Sequence, residues 1–387
     1  MKTVAEIKAL REVVIAGMGI TKWNVYPDQE WYDFGSEAIL SALKDAGIEF
    51  KDIQIAFAGS SYQGVGAGHQ TLAEIGKTAI PIINVENACS SSSSALRLAY
   101  QMVATELYDV ALAVGFEKQR HKGFIPSTAW RPWERMLGFN VQPASYAMET
   151  VKYMEEYDAT IEDISLVTVK NRKNAALNPN ARFQQPVTLA EVMGSRLIAS
   201  PLRLLHCSPL ADGAVAAVVC SRDKVKFKKK AVTIAASTLT TGMYGENRYG
   251  QISVKYPPET KFVEISARQA YEQAGYGPED MDVIQAYDAM SPAELWDIEQ
   301  LGFCKPGEAY HLLRAGFFDL DGKLPSNTDG GLMGRGHPMG ATALGQIYEI
   351  VMQLRGEAGK RQVPKAKIGL AHSLGAGPNS TVTILKK

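Results

Sequence analysis

Short apolar runs alternate with helical patterns along this chain, and the same order occurs twice. In the first half the apolar runs cover residues 13–17, 53–58, 82–85 and 110–115, with another far downstream at 214–220. Helical spacing predicts helices over 31–46, 71–76 and 89–104, the first carrying Ala38, Ile39, Ala42, Leu43 and Ala46 on one face. The second half places runs at 231–236, 283–286, 324–327, 368–371 and 381–385, with helices predicted over 262–274, 292–301 and 340–354. Apolar runs of this length between helices predict parallel βαβ units and an α/β fold. Local echoes support a duplication: Asp45-Ala46-Gly47-Ile48 before Asp52-Ile53 resembles Gln273-Ala274-Gly275-Tyr276 before Asp282-Val283. The division expected is 1–230 and 231–387, with an insertion at about 117–209 that holds Trp130, Trp133 and Met136 and has helical patterns near 147–157 and 161–175. A long excursion at a strand end is usually functional, and this one is expected to cover a site and shape its pocket.

The 387 residues include 41 basic and 41 acidic side chains. That balance argues against nucleic-acid steering or a basic membrane footprint. The run Lys224-Val225-Lys226-Phe227-Lys228-Lys229-Lys230 reads as a solvated connection. The four cysteines, Cys89, Cys207, Cys220 and Cys304, form no CxxC pair, so neither a zinc site nor a disulfide framework is expected. Free thiols suit a reducing, cytoplasmic setting. Residues 1–11 are charged and lack the apolar core of a signal peptide. No apolar stretch reaches the length of about 18 residues that predicts a membrane span.

Cys89 heads the run Asn87-Ala88-Cys89-Ser90-Ser91-Ser92-Ser93-Ser94. An apolar strand leads into it and a helix leads out, which sets the thiol at a helix N-terminus. Unpaired N–H groups and the dipole there favour thiolate, the form that attacks a carbonyl. The alternative is a small buried residue in a tight turn. A second strand-to-helix junction, Gly330-Gly331-Leu332-Met333-Gly334-Arg335-Gly336-His337-Pro338-Met339-Gly340-Ala341-Thr342, carries His337 at a Pro-started helix. If the halves pack face to face, the two helix starts meet at the pseudo-dyad and His337 becomes a base beside the thiol. Both positions lie at strand carboxyl ends, where open α/β sheets bind ligands. A third strand end carries His372-Ser373-Leu374-Gly375, whose glycine leaves backbone N–H groups free for an anion; His372 reads equally as a buried, backbone-bonded histidine. In Tyr287-Asp288-Ala289-Met290, Tyr287 can donate to an oxyanion or pack in the core. Asp288 can cap a helix or orient a histidine.

Taken in this order, the motifs resemble the thiolase superfamily, and within it the sterol-carrier-protein type (lipid-transfer) thiolases and their bacterial relatives. The resemblance spans nearly the whole chain. It includes Gly115-Phe116-Glu117-Lys118, Ser208-Pro209-Leu210-Ala211-Asp212-Gly213-Ala214 and the stretch from Gln353 to Val363. It implies two pseudo-symmetric βαβαβαββ halves in an αβαβα layered thiolase fold, an inserted loop domain and a tight homodimer. Cys89 then resembles the acyl-accepting nucleophile and His337 its base, while His372 falls where other thiolases carry an acid/base cysteine. Gly375 falls at the backbone of the oxyanion site. Coenzyme A is implied as co-substrate, with no permanently bound cofactor.

The chain departs from the subgroup at three places. Tyr287-Asp288-Ala289-Met290 replaces His-Asp-Cys-Phe, Ser373 replaces Asn, and Pro378-Asn379 replaces Gly-Gly. Ala289 has no acidic proton, which leaves His372, Tyr287 or water as donor. Relatives altered in this way, such as the benzoylsuccinyl-CoA thiolase type, resemble it in site chemistry; they act on bulky or aromatic acyl-CoA esters with a small zinc-ribbon/OB-fold accessory subunit. The expected function is cleavage or formation of a 3-oxoacyl-CoA through a cysteine acyl-enzyme. The competing readings are a retro-aldolase acting on a 3-hydroxyacyl-CoA side chain and a non-catalytic acyl-CoA or lipid-binding scaffold.

Overall fold

The structure, a computed structural model, describes residues 11–119, 132–136, 138, 141–242, 262–376 and 378–387. Trp130 and Gly377 lie outside these. The strands are β1 (Val13–Ile20), β2 (Ile55–Gly59), β3 (Ile82–Val85), β4 (Val110–Glu117), the small hairpin β5 (Leu197–Ala199) and β6 (Leu202–Arg203), β7 (Gly213–Ser221), β8 (Val232–Thr241), β9 (Val283–Gln285), β10 (Ile368–Gly375) and β11 (Asn379–Lys386). The helices begin with α1 (Trp31–Ala46), α2 (Ala67–Ala73) and α3 (Ser91–Ala104). In the insertion follow α4 (Pro132–Met136), α5 (Gln142–Tyr157), α6 (Ile161–Ala175) and α7 (Leu189–Gly194). The second half adds α8 (Phe262–Ala274), α9 (Ser291–Gln300), α10 (Ala309–Arg314), α11 (Gly331–Arg335) and α12 (Met339–Arg355).

Among the described residues the main sheet runs β3-β2-β4-β7-β1-β8-β11-β10-β9. Read outward from the centre, each half lists its strands in matching order. The seam between them is slight, with only Val14 opposite Thr233 and Ile15 opposite Val232. The predicted strand at 324–327 would complete the symmetry. It forms a single parallel bridge, Ser326 to Ile284. The reason lies in Asn327, whose φ of 48° turns the chain away and whose side-chain oxygen accepts from Ala286 N–H at 3.0 Å, replacing a ladder bond.

Side-chain alternation sorts the sheet into layers. Val215, Ala217 and Val219 of β7 face a middle layer shared with Leu96, Ala99, Leu344 and Ile347 of α3 and α12. Ala214, Ala216 and Val218 face the outer layer of α1. In the second half Ala371 points to the middle, while Leu370 and Ile384 point outward to α8 and α9. The result is the αβαβα stack. The α1 helix buries Ile39 and Leu43, each contributing about 1.5–3 kcal/mol. It stops at Gly47, whose φ of 71° lets its N–H close on Leu43 and Lys44. No helix among the described residues is long and apolar enough to cross a membrane.

The insertion is tied down by α6, which starts with a Thr160–Asp163 capping box. Its buried face is polar. Lys170 pairs with Glu294 at 2.8 Å, and Asn171 donates to Asp288 at 2.8 Å and Glu294 at 2.7 Å. The insertion thus holds the segment that follows Tyr287. Trp133 and Met136, expected over the site, stand exposed on α4.

Candidate active site

Edge strand β3 ends in a tight turn in which Ala88 takes a left-handed φ of 50°, a conformation that costs a non-glycine residue about 1–2 kcal/mol. A 3-10 turn, Ala88–Ser90, then feeds α3. Hydroxyl groups hold this junction. Ser91 Oγ donates to Ala88 O at 2.6 Å and accepts from Asn87 N–H at 2.9 Å. Ser92 Oγ accepts from Leu344 N–H of α12 at 3.0 Å, and Ser93 Oγ meets Thr381 Oγ1 at 2.7 Å. The serine run therefore sews the nucleophile's turn to both halves. Gly375 lies against the same turn, where a Cβ would collide with Asn87 O; only glycine lets β10 approach this closely.

Cys89 Sγ lies 3.3 Å from His337 Nε2, across 248 residues of sequence. Behind the ring, His337 Nδ1 is 2.7 Å from Thr342 Oγ1, which also lies 2.9 Å from Pro338 O. A carbonyl only accepts, so the Thr342 hydroxyl gives its hydrogen to Pro338 and receives the one on Nδ1. That leaves Nε2 with its lone pair facing the thiol, the tautomer of a base. His337 N–H also donates to Pro209 O at 3.0 Å, which seats the Ser208–Ala214 motif beside it.

Tyr287 completes the group. Its side chain packs against Cys89 in one buried cluster, where it favours the thiolate form of the sulfur, and its ring stands edge-on to His337 at 6.2 Å. Leu332 and Met339 wall the same cluster, with Tyr62, Ala289 and Leu374 at its margin. Asp288 takes the capping role. It accepts from Leu332 and Met333 N–H at 2.8 and 3.3 Å, and burial beside Glu294 holds its carboxyl well above the usual carboxylate range. Glu117 is the residue that sequence reasoning placed in a motif without assigning it a role. It accepts from Ser61 N–H at 2.8 Å, Gly340 N–H at 2.9 Å and the Gln63 amide, clamping the loop of Tyr62 to the start of α12. A lone acid ending a buried strand was its signal.

His372 does not join them. Its Nδ1 lies 2.7 and 2.8 Å from the two Asp297 oxygens, and its Nε2 lies 2.9 Å from Ser380 Oγ, all fully buried. Strand alternation is the reason. Ser373, not His372, turns toward the nucleophile, with its Oγ reaching Cys89 O at 3.4 Å. A proton-donating His372 does not fit a ring whose two nitrogens are engaged elsewhere.

Electrostatics correct a second expectation. The helix start was expected to favour thiolate, yet burial pushes the Cys89 thiol up to about 12, with Glu117 and Glu86 adding to the rise and Tyr287 opposing it. Burial, helped by Arg335, draws His337 down to about 3. Desolvation outweighs the dipole. Near neutral pH the pair rests as thiol and uncharged imidazole, and the proton moves only when sulfur attacks. The cysteine can then act as nucleophile, the imidazole as base, and the Tyr287 hydroxyl and the backbone N–H groups of the turn as donors to developing charge.

Residues 13–223 match the thiolase N-terminal domain family, and residues 247–387 match the thiolase C-terminal domain-like family. The chain belongs to the thiolase family. Relatives of this thiolase include the acetyl-CoA acetyltransferase of Methanothermobacter thermautotrophicus, 35% identical over 97% of this chain and 99% of that one. The benzoylsuccinyl-CoA thiolase subunit BbsB of Thauera aromatica is 38% identical over 96% of both chains. Sterol carrier protein 2 of Rattus norvegicus is 36% identical over 97% of this chain and 72% of that one. Among solved structures, the Ltp2-ChsH2(DUF35) aldolase superposes with a TM-score of 0.86 at 27% identity, covering 98% of each chain. Human mitochondrial 3-ketoacyl-CoA thiolase in complex with CoA, at 0.72 and 16% over 98% of each, shares the fold. The thiolase is thus an acyltransferase of the sterol-carrier-protein type.

Proposed function

We propose that this thiolase cleaves or forms a 3-oxoacyl-CoA through an acyl-enzyme on Cys89. The observation that carries the reading is the 3.3 Å contact between Cys89 Sγ and a His337 ring whose free nitrogen faces it. Sulfur attacks the keto carbonyl while Nε2 takes the thiol proton. The bond between C2 and C3 then breaks, and its electron pair leaves as the enolate of the shorter acyl-CoA. The enolate carbon regains that proton from the His337 imidazolium, directly or relayed through the Tyr287 hydroxyl, which leaves His337 neutral again. Free CoA attacks the acyl-cysteine, its thiol proton passes to His337, and Cys89 leaves as a thiolate that takes this proton back to restore the resting thiol. Backbone N–H groups at Cys89 and near Gly375 are suited to hold the tetrahedral oxyanion.

A bulky or aromatic acyl group suits the surroundings. Ala289 is small where the subgroup has cysteine, and it borders both the Cys89 cluster and an apolar group of Tyr146, Leu202 and Met290. Two features support an assembly: one relative is named as a subunit, and the aldolase structure is named with a DUF35 partner. A small accessory subunit therefore belongs to the proposal. So does a homodimer through β3, an edge strand with Ile83 exposed, since an open apolar edge invites pairing.

The test is mass spectrometry of the protein quenched during turnover with aliphatic and aromatic 3-oxoacyl-CoA esters, with and without the accessory subunit. An acyl adduct on the Cys89 peptide is expected, strongest with the aromatic esters. Its absence with every ester would sink the reading. The likeness to an aldolase and the tyrosine at 287 favour a second reading, retro-aldol cleavage of a 3-hydroxyacyl-CoA. Aldehyde release that needs no free CoA would identify it.

Thr342→Val removes the acceptor for His337 Nδ1–H and frees the ring to adopt the wrong tautomer. Acylation in a single turnover is expected to slow about ten- to a hundred-fold, with Thr342→Ser close to the parent. Equal rates for the valine and serine variants would refute the tautomer argument.

A further inference from the structure

We infer that His372 is a positioning residue: through Asp297 it fixes the backbone of Tyr287 and so aims the Tyr287 hydroxyl at the Cys89 sulfur. The chain of contacts is continuous. Asp297 sits on α9, fully buried. One of its oxygens accepts from Tyr287 N–H at 2.8 Å, and the same carboxylate takes the hydrogen on His372 Nδ1 at 2.7–2.8 Å. On the far side His372 Nε2 meets Ser380 Oγ of β11 at 2.9 Å. The imidazole is therefore bolted between β10 and β11, and it holds a carboxylate that would otherwise be free to turn.

The connectivity Ser380–His372–Asp297 is that of a catalytic triad, but the group is sealed. Ser380 and His372 are each 0% exposed and Asp297 is 1% exposed. No substrate reaches that serine. The triad's output is instead the Tyr287 N–H. Tyr287 enters the site from the end of β9, a strand of three residues, and its peptide needs an anchor beyond the ladder. Asp297 supplies it. The inference deepens the thiolase reading, yet its test needs no turnover, so the two can fail separately.

The test follows the rate of Cys89 alkylation by iodoacetamide at one fixed, mildly alkaline pH, read as the mass of the Cys89 peptide. The titratable groups facing the sulfur are His337, Tyr287, Tyr62, Glu117 and Glu86. Tyr287 is the one that favours the thiolate. Tyr287→Phe should slow alkylation roughly three-fold or more, the change in thiolate that half a pH unit represents. His372→Leu should slow it in the same way. His372→Asn, whose amide N–H replaces Nδ1–H but cannot relay a proton, should restore the parent rate. In the Tyr287→Phe background, His372→Leu should add nothing further.

Additive slowing in the double variant overturns the inference, as does an asparagine variant that behaves like leucine. Asp297→Asn carries the same prediction as His372→Leu and serves if the leucine variant does not fold. Acyl adduct formation, measured on the same proteins, reports separately on the thiolase reading.

Discussion

Cys89→Ala is expected to lose at least about ten-thousand-fold in CoA-dependent cleavage of a 3-oxoacyl-CoA, more than 5 kcal/mol of barrier. The size follows from what the thiol does. Cys89 is the protein nucleophile that His337 Nε2 faces, and the ring's other nitrogen is committed to Thr342. Removing sulfur deletes the acyl acceptor and leaves only electrostatic stabilisation by the surrounding N–H groups. The fold should tolerate the change. Cys89 is a small side chain, and its turn is held by Ser91, Asn87 and Ala88 rather than by the thiol. Product analysis by chromatography, beside a melting curve within a few degrees of the parent, checks both halves of this. An alanine variant that keeps even a hundredth of the parent rate would mean that bond cleavage proceeds without an acyl-enzyme.

The largest stability effect is expected at Arg335. This guanidinium is 1% exposed. It pairs with Asp329, lies 4.3 Å over the Trp23 ring and reaches Thr342 O at 3.4 Å. Arg335→Met keeps much of the apolar volume and strands the buried Asp329. Breaking a buried pair from one side costs about 3–5 kcal/mol, which urea denaturation would read directly. The pH dependence has a definite sign. Burial and Glu349 already hold the Asp329 carboxyl above its usual range, and Arg335 opposes them. Without Arg335 the folded carboxyl binds its proton more tightly than the unfolded one. Stability should therefore fall as pH rises through and beyond the ordinary carboxylate range, with the deficit wider at pH 8 than at pH 5. A deficit independent of pH would place the loss in packing over Trp23. The variant should also let His337 gain a proton more readily, since the Arg335 charge is one of the forces holding it neutral.

Much of the layered fold was legible because buried strands between helices leave a simple apolar signature. The exceptions have local causes. The 324–327 run reads as a strand, but Asn327 substitutes its side chain for a ladder bond, and no periodicity announces that. The pairing of Cys89 with His337 was also legible, as two strand-to-helix junctions in equivalent places of a duplicated chain. Two parts of the site were not. The charge state of Cys89 depends on how dry the junction is, and a helix start in sequence carries no measure of water exclusion. The role of His372 depends on which face of β10 it takes and on Asp297, 75 residues away. Sequence places His372 at the end of the right strand but cannot say that its neighbour Ser373 is the one turned toward the nucleophile.

The seam between the halves has a mechanical meaning. Two facing strand positions join β1 to β8, while the reacting sulfur and imidazole belong to opposite halves. Their separation is therefore set by how α3 and α12 bear on each other, through contacts such as the Ser92 hydroxyl on the Leu344 amide. Each half carries one of the two reacting groups, and the nucleophile and base meet beside the bearing of α3 on α12. An ångström of play in the bearing, too little to disturb any strand, would part the S–H···N contact and silence the enzyme while it is still folded.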